Sequence, residues 1–151
     1  MTPLDTRYPV AQNESLLPIM RALNAATQQS ERVLTRYLEA YALTPSQFDV
    51  LAVLGDTEGM SCKDLSRQSL ITGGTLTPVL DRLEAKGLVK RCKGTQDSRQ
   101  TIAALTPEGQ ALYERVFLPF VDHARKQLSV LSEAEQAELV RLLNKVQAAF
   151  E

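Results

Sequence analysis

Apolar positions along residues 15–42 (Leu16, Met20, Leu23, Ala26, Val33, Leu34, Tyr37, Leu38 and Tyr41) recur at roughly helical spacing and predict one long amphipathic helix. Pro18 has to fall in its first turn, where a missing N–H breaks no helical bond. Thr44-Pro45-Ser46-Gln47 then starts a second helix. Thr44 caps, Pro45 suits the first helical position, and Gln47 reaches back as a capping box. Phe48, Val50, Leu51, Val53 and Leu54 are its apolar residues, and it stops near Gly55. Ser61 caps a short third helix ending near Ser69, with Asp64 well placed at its positive end. Residues 72–87 form a fourth, with an apolar stripe of Leu76, Val79, Leu80 and Leu83 and a left-handed stop at Gly87. Pro78 predicts that regular bonding there begins around Gly74 or Thr75, or that the first turn is distorted.

The period then changes. Residues 88–93 and 100–105 read as two strands joined by a loop of Gly94, Thr95, Gln96, Asp97 and Ser98. Thr106-Pro107-Glu108 opens another helix, whose core face is Ala111, Leu112, Val116, Phe120, Ala124 and Leu128, with a kink or irregularity expected at Pro119. Ser132-Glu-Ala-Glu135 is a capping box for a last helix carrying Leu139, Leu142, Leu143, Val146 and Phe150. Residues 1–14, with two prolines, read as a flexible arm. The expected class is mainly α with a small β-hairpin, in one domain spanning 15–151.

Composition narrows this further. A chain of 151 residues has room for one sizeable core, and 44% hydrophobic residues with only 5% aromatic favours helices packed through Leu, Val and Ala. No apolar run approaches the ~20 residues of a membrane span, and the first residues lack a secretion-signal pattern. A cytoplasmic protein without membrane contact is therefore expected. Two cysteines make no disulfide framework, and one histidine makes no ordinary zinc cluster. Neither metal nor cofactor is expected, and no nucleophile–base set or phosphate loop stands out, so an enzyme is not expected either.

Charge is what points to function. The formal net charge is -1, yet residues 1–59, 60–99 and 100–151 carry net -3, +4 and -2. Residues 86–99 alone hold five positive side chains and one negative. A positive hairpin on a near-neutral protein is a footprint for a polyanion, because local cations displace the counterions of phosphate. Upstream, three helices with a short connection at Leu70-Ile71 match a helix-turn-helix, whose last helix enters the major groove. Thr72, Gly73, Gly74, Thr75 and Thr77 would meet base edges at its start, with Arg82 further along. The hairpin becomes a wing beside it. Lys90, Arg91 and Lys93 are expected on phosphates, and Arg99 in a minor groove, oriented by Asp97.

These residues carry a family resemblance. Asp97-Ser98-Arg99 between two strands resembles the Asp-x-Arg wing signature of MarR-family transcription regulators. Leu83-Glu-Ala-Lys-Gly-Leu-Val-Lys-Arg91 is similar to that family's recognition-helix end and first wing strand, and Ala104-Leu-Thr-Pro-Glu-Gly109 to the entry into its first dimerisation helix. The likeness covers about residues 15–150. It implies a winged helix-turn-helix homodimer on palindromic double-stranded operator DNA, usually a repressor. Residues 44–105 would be the DNA-binding lobe, and 15–42 and 107–151 the dimerisation helices. It also implies a ligand cleft between helices and lobe, with a small-molecule or oxidant effector. Gly74-Thr-Leu-Thr-Pro-Val-Leu80 is similar to the organic-hydroperoxide-sensing OhrR branch. That branch has a reactive cysteine early in the first helix, whereas Leu16–Asn24 contains none and Met20 stands near the place.

Met20, Asn24, Tyr37 and Tyr41 are candidates for the effector cleft. Cys62, in the first turn of a helix, and Cys92, among Lys90, Arg91 and Lys93, are candidate redox sensors, both expected to have a lowered thiol pKa and each also readable as a small packed residue. Oxidation at Cys92 would disturb the wing. His123 is expected at the surface or in an interface. The rival to DNA binding is a winged-helix module whose basic wing meets an acidic protein.

Overall fold

The computed structural model describes residues 16–150, so the expected arm at 1–14 lies outside the described residues. Six helices and three strands follow in the order α1 (Leu17–Glu39), α2 (Pro45–Leu54), β1 (Met60–Ser61), α3 (Cys62–Gln68), α4 (Gly73–Ala85), β2 (Val89–Lys93), β3 (Thr101–Leu105), α5 (Pro107–Leu128) and α6 (Glu133–Ala149). The helix starts match the residue chemistry. Thr44 and Ser132 both form complete capping boxes, Ser61 and Thr106 accept from the N–H of Asp64 and Gly109, and Pro18, Pro45 and Pro107 sit in first turns.

Strand β1 was not visible in the pattern. It is two residues long, and it extends the expected hairpin to three antiparallel strands in the order β1-β3-β2. Met60 stands opposite Ala103 and Ser61 opposite Ile102, while Arg91 and Cys92 stand opposite the same two residues from the other side. Two glycines are fixed by geometry. Gly87 leaves α4 at φ +72°, where a side chain is disfavoured. A Cβ on Gly109 would lie 1.9 Å from the carbonyl oxygen of Leu88, so the first turn of α5 abuts the base of β2.

The core gathers α2, α3, α4, the sheet, the end of α1 and the first half of α5. Leu38, Phe48, Val50, Leu51, Leu54, Leu65, Leu76, Leu80, Leu83, Val89, Leu112 and Val116 are buried together. Each such side chain contributes about 1.5–3 kcal/mol by leaving water. The outlying helices bury little. Leu38 is the one buried residue of α1 and α6 has none, although both carry apolar stripes. Ala111, expected on the core face of α5, is exposed, and Leu128 points outward too. The two internal prolines lie inside continuous helices. Helix α4 starts at Gly73 and runs through Pro78, and α5 runs unbroken through Pro119. Both prolines are exposed, so the carbonyl each deprives of an N–H can be reached by water. Among the described residues no helix is long and apolar enough to cross a membrane.

Candidate nucleic-acid interface

Helix α4 is half core and half surface. Leu76, Val79, Leu80 and Leu83 are buried, which at 100° per residue puts Gly74, Pro78 and Asp81 on the opposite side. Thr75 and Arg82 flank that face on one edge, Thr77 and Glu84 on the other, and all are exposed. The start of the helix is unusual for a capped one. The Thr72 side chain does not cap; its hydroxyl lies 3.1 Å from the Thr75 hydroxyl. Among the described residues nothing accepts from the N–H of Gly73 or Gly74, so these donors are unpaired beside the threonine hydroxyls at the helix start. A Cβ on Gly74 would meet nothing within 4 Å. The fold itself therefore does not require a glycine there.

The turn before α4 is pinned by a residue the sequence reading missed. Asp49 of α2 accepts a 2.8 Å hydrogen bond from the Leu70 N–H. At the other end of α4, the Lys86 ammonium donates to the Ala42 carbonyl at 2.5 Å and to Gln47 at 3.2 Å. Gln47 belongs to the capping box of α2 and Ala42 to the turn just before it, and an isolated Lys or Asp carries no sequence signal for such a long-range tie.

On the wing, Asp97 and Arg99 pair as expected. Asp97 accepts from the Arg99 N–H at 2.9 Å and from its Nε at 3.4 Å, while the Arg99 side chain stays 92% exposed. The Asp97 carbonyl also accepts from Gln100 at 3.0 Å, and the Gln100 carbonyl from Gly94 at 2.8 Å, which closes the loop. Lys90 and Lys93 are exposed, and among the described residues no carboxylate lies within ion-pair distance of Lys90, Lys93 or Arg82.

Arg91 is a correction. It does not project toward phosphate with its neighbours. Its Nη2 lies 2.5 Å from Asp81 and 2.6 Å from Glu84, its Nε donates to Glu84 at 3.2 Å, and its side chain is only 24% exposed. Hydrogen bonding to this guanidinium holds the Glu84 carboxyl below the usual carboxylate range. The physical reason is alternation. Lys90 and Cys92 share the outer face of β2, whereas Arg91 shares the face of buried Val89, which is turned toward α4.

The thiols also differ from expectation. Burial pushes the Cys62 thiol up, against a smaller opposing pull from Arg91, so desolvation outweighs the nearby cation. Cys92 is exposed on the outer face of the wing. The neighbouring Ser61 and Cys92 stand opposite Ile102 from two different sides, roughly 10 Å apart at two strand spacings, too far for a Cys62–Cys92 disulfide without rearrangement.

The four effector-cleft candidates do not converge. Met20 and Tyr37 are on one helix, about 25 Å apart, and Met20 and Asn24 are exposed. Tyr37 packs against Tyr41 and Phe120 at 5.5 Å and donates to the Val116 carbonyl at 2.9 Å. Burial, with Tyr41 beside it, pushes its hydroxyl up to about 12, so it remains a donor. A hollow of about 480 Å³ does open beside Tyr37, lined by Gln29, Arg32, Val33, Arg36, His123 and Gln127.

The chain carries the MarR family model over residues 43–101. It is 33% identical over 132 residues to the transcriptional regulator PecS of Dickeya dadantii, covering 85% of this chain and 80% of that one. The chain belongs to the MarR family. Its fold superposes on the crystal structure of a cysteine-to-serine mutant of Escherichia coli MarR complexed with operator DNA, with a TM-score of 0.77 at 31% identity, over 87% of this chain and 94% of that one. It is also similar to Bordetella bronchiseptica BpsR, described as regulated in its DNA binding by 6-hydroxynicotinic acid, with a TM-score of 0.78 at 28% identity over 88% and 95% of the two chains. This MarR-family protein is thus a winged-helix DNA-binding transcription regulator and not an enzyme. The acidic-partner rival falls with that result.

Proposed function

We propose that this regulator represses by gripping a palindromic duplex as a homodimer, through Thr72–Thr77 and Arg82 of α4 and through Lys90, Lys93 and Arg99 of the wing. The observation that carries this reading is the pairing of two surfaces. Unpaired N–H groups and threonine hydroxyls start α4, and exposed cations line the adjoining wing. The first set suits base edges and close backbone approach, the second suits phosphates. Residues 44–105 are the DNA-binding lobe in this reading, and 15–42 and 107–151 the dimerisation helices.

Dimerisation is supported by the apolar surface that one chain leaves in water. Leu139, Val140, Leu142 and Leu143 of α6, Leu118 and Leu128 of α5, and Ile19 and Met20 of α1 are each more than 40% exposed. A helix with no buried residue holds poorly by itself, since helices in proteins are stabilised mostly by packing an apolar face. We infer that a small molecule or an oxidant releases the DNA in the cytoplasm by favouring a spacing of the two recognition helices that misses successive major grooves. The hollow beside Tyr37 is the place we assign to a small molecule, and exposed Cys92 the place we assign to an oxidant. The likeness of Gly74–Leu80 to the hydroperoxide-sensing branch concerns α4 only, because α1 lacks that branch's cysteine.

The experiment is Arg99→Ala. Affinity for a duplex selected by the wild-type protein from a random-sequence pool is expected to fall about tenfold or more, in line with roughly 1–3 kcal/mol for a base- or groove-reading arginine. The dimer, measured by light scattering, stays intact. Wild-type affinity in Arg99→Ala contradicts the wing assignment.

A further inference from the structure

We propose that Arg91 is a positioning residue for DNA binding: through Asp81 and Glu84 it fixes the angle between the wing and the recognition helix, and it does not touch DNA. The covalent link between α4 and β2 is only Lys86, Gly87 and Leu88, with Gly87 at positive φ. So short a link fixes the distance between the two elements, and its base is held by hydrogen bonds from the Leu88 N–H to the Leu83 carbonyl at 3.0 Å and from the Thr106 hydroxyl to the Gly87 carbonyl at 2.6 Å. Arg91 lies beyond that link and closes it with a second connection. Its planar fork meets two carboxylates, one turn apart on α4, at 2.5 and 2.6 Å, and its own N–H donates to Glu84 at 3.3 Å. A fork of fixed geometry held by two acceptors restrains direction as well as distance.

Charge supports the same conclusion. Asp81 and Glu84 are the acidic residues of α4, and they stand on or beside its DNA-facing side. Two unneutralised carboxylates there would repel phosphate. Arg91 cancels one charge and draws both carboxylates to the wing side, leaving Lys90 and Lys93, with the exposed Arg99 on Asp97, as the wing's outward cations. Alternation along β2 turns Arg91 toward α4 and its neighbour Lys90 outward, which separates the two tasks, while Lys93 is exposed at the end of the strand.

The two roles predict opposite signs. If Arg91 served phosphate, removing Asp81 and Glu84 would release it and also delete two repulsive charges, so binding would tighten. If it braces, the same change loosens the wing and binding weakens. The test uses the full chain and a duplex selected by the wild-type protein from a random-sequence pool, with affinity measured across a salt series and folding checked by thermal melting. The Asp81→Ala/Glu84→Ala variant is expected to bind about tenfold weaker. Arg91→Lys, which keeps the charge but loses the fork, is expected to bind severalfold weaker with an unchanged slope of log affinity against log salt. A phosphate contact would leave Arg91→Lys near wild type, and losing one would reduce the slope by about 0.9 in Arg91→Met. Equal or tighter binding by the double variant overturns the proposal, as does a slope change of that size in Arg91→Met. If the double variant does not fold, the two Arg91 variants decide alone.

Discussion

At Gly74 stability and function pull in opposite directions. The position is helical and a methyl group there meets nothing, so Gly74→Ala should raise stability, by up to about 1 kcal/mol. The same methyl would stand on the face we propose for DNA, so affinity for a selected duplex should fall. Denaturant unfolding and a binding titration on the same variant check both signs, and unchanged affinity would remove Gly74 from the interface. The thiols give a second prediction at this scale. Cys92 is exposed while burial raises the Cys62 thiol, so iodoacetamide at neutral pH should label Cys92 well before Cys62, as read by peptide mass spectrometry. The sequence told which residues carried charge and which were small. It did not tell which way Arg91 or Cys62 faced, because both outcomes turn on one step of strand alternation and on burial by residues far along the chain.

Between elements, the joints matter more than the helices. Caps, first-turn prolines and Gly87 were readable because they are local chemistry within three or four residues. The two-residue β1 was not, since its pairing with β3 spans some forty residues and leaves no periodicity. Asp49, Asp81, Glu84 and Lys86 were missed as organising residues for the same reason: each acts on an element other than its own. The wing brace makes a prediction about acid. Glu84 is held below its ordinary value of 4.5 by Arg91. A depressed carboxylate stabilises the fold above its unfolded pKa, and that contribution disappears as pH falls through the lower folded value. The wing should therefore keep its orientation at pH 5 and loosen only beneath 4.5. A carboxyl NMR titration checks this, and a Glu84 midpoint at or above 4.5 would show that the ion pair is not formed in solution.

For the whole molecule, the described chain holds one well-packed lobe flanked by helices whose apolar faces remain in water. The winged-helix fold was foreseen from pattern and charge together; a shared place for Met20, Asn24, Tyr37 and Tyr41 was not found, because helical spacing along α1 and the turn after it does not bring them together in space. In the proposed dimer a second copy covers α1, α5 and α6, which would account for the exposed leucines and set two wings against one duplex. The most direct test is the mass of the complex with a duplex selected by the wild-type protein, measured by sedimentation at low and moderate salt. Two chains of 16.7 kDa per duplex, with affinity falling steeply as salt rises, is the expected result. A single chain per duplex, or binding indifferent to salt, contradicts the account.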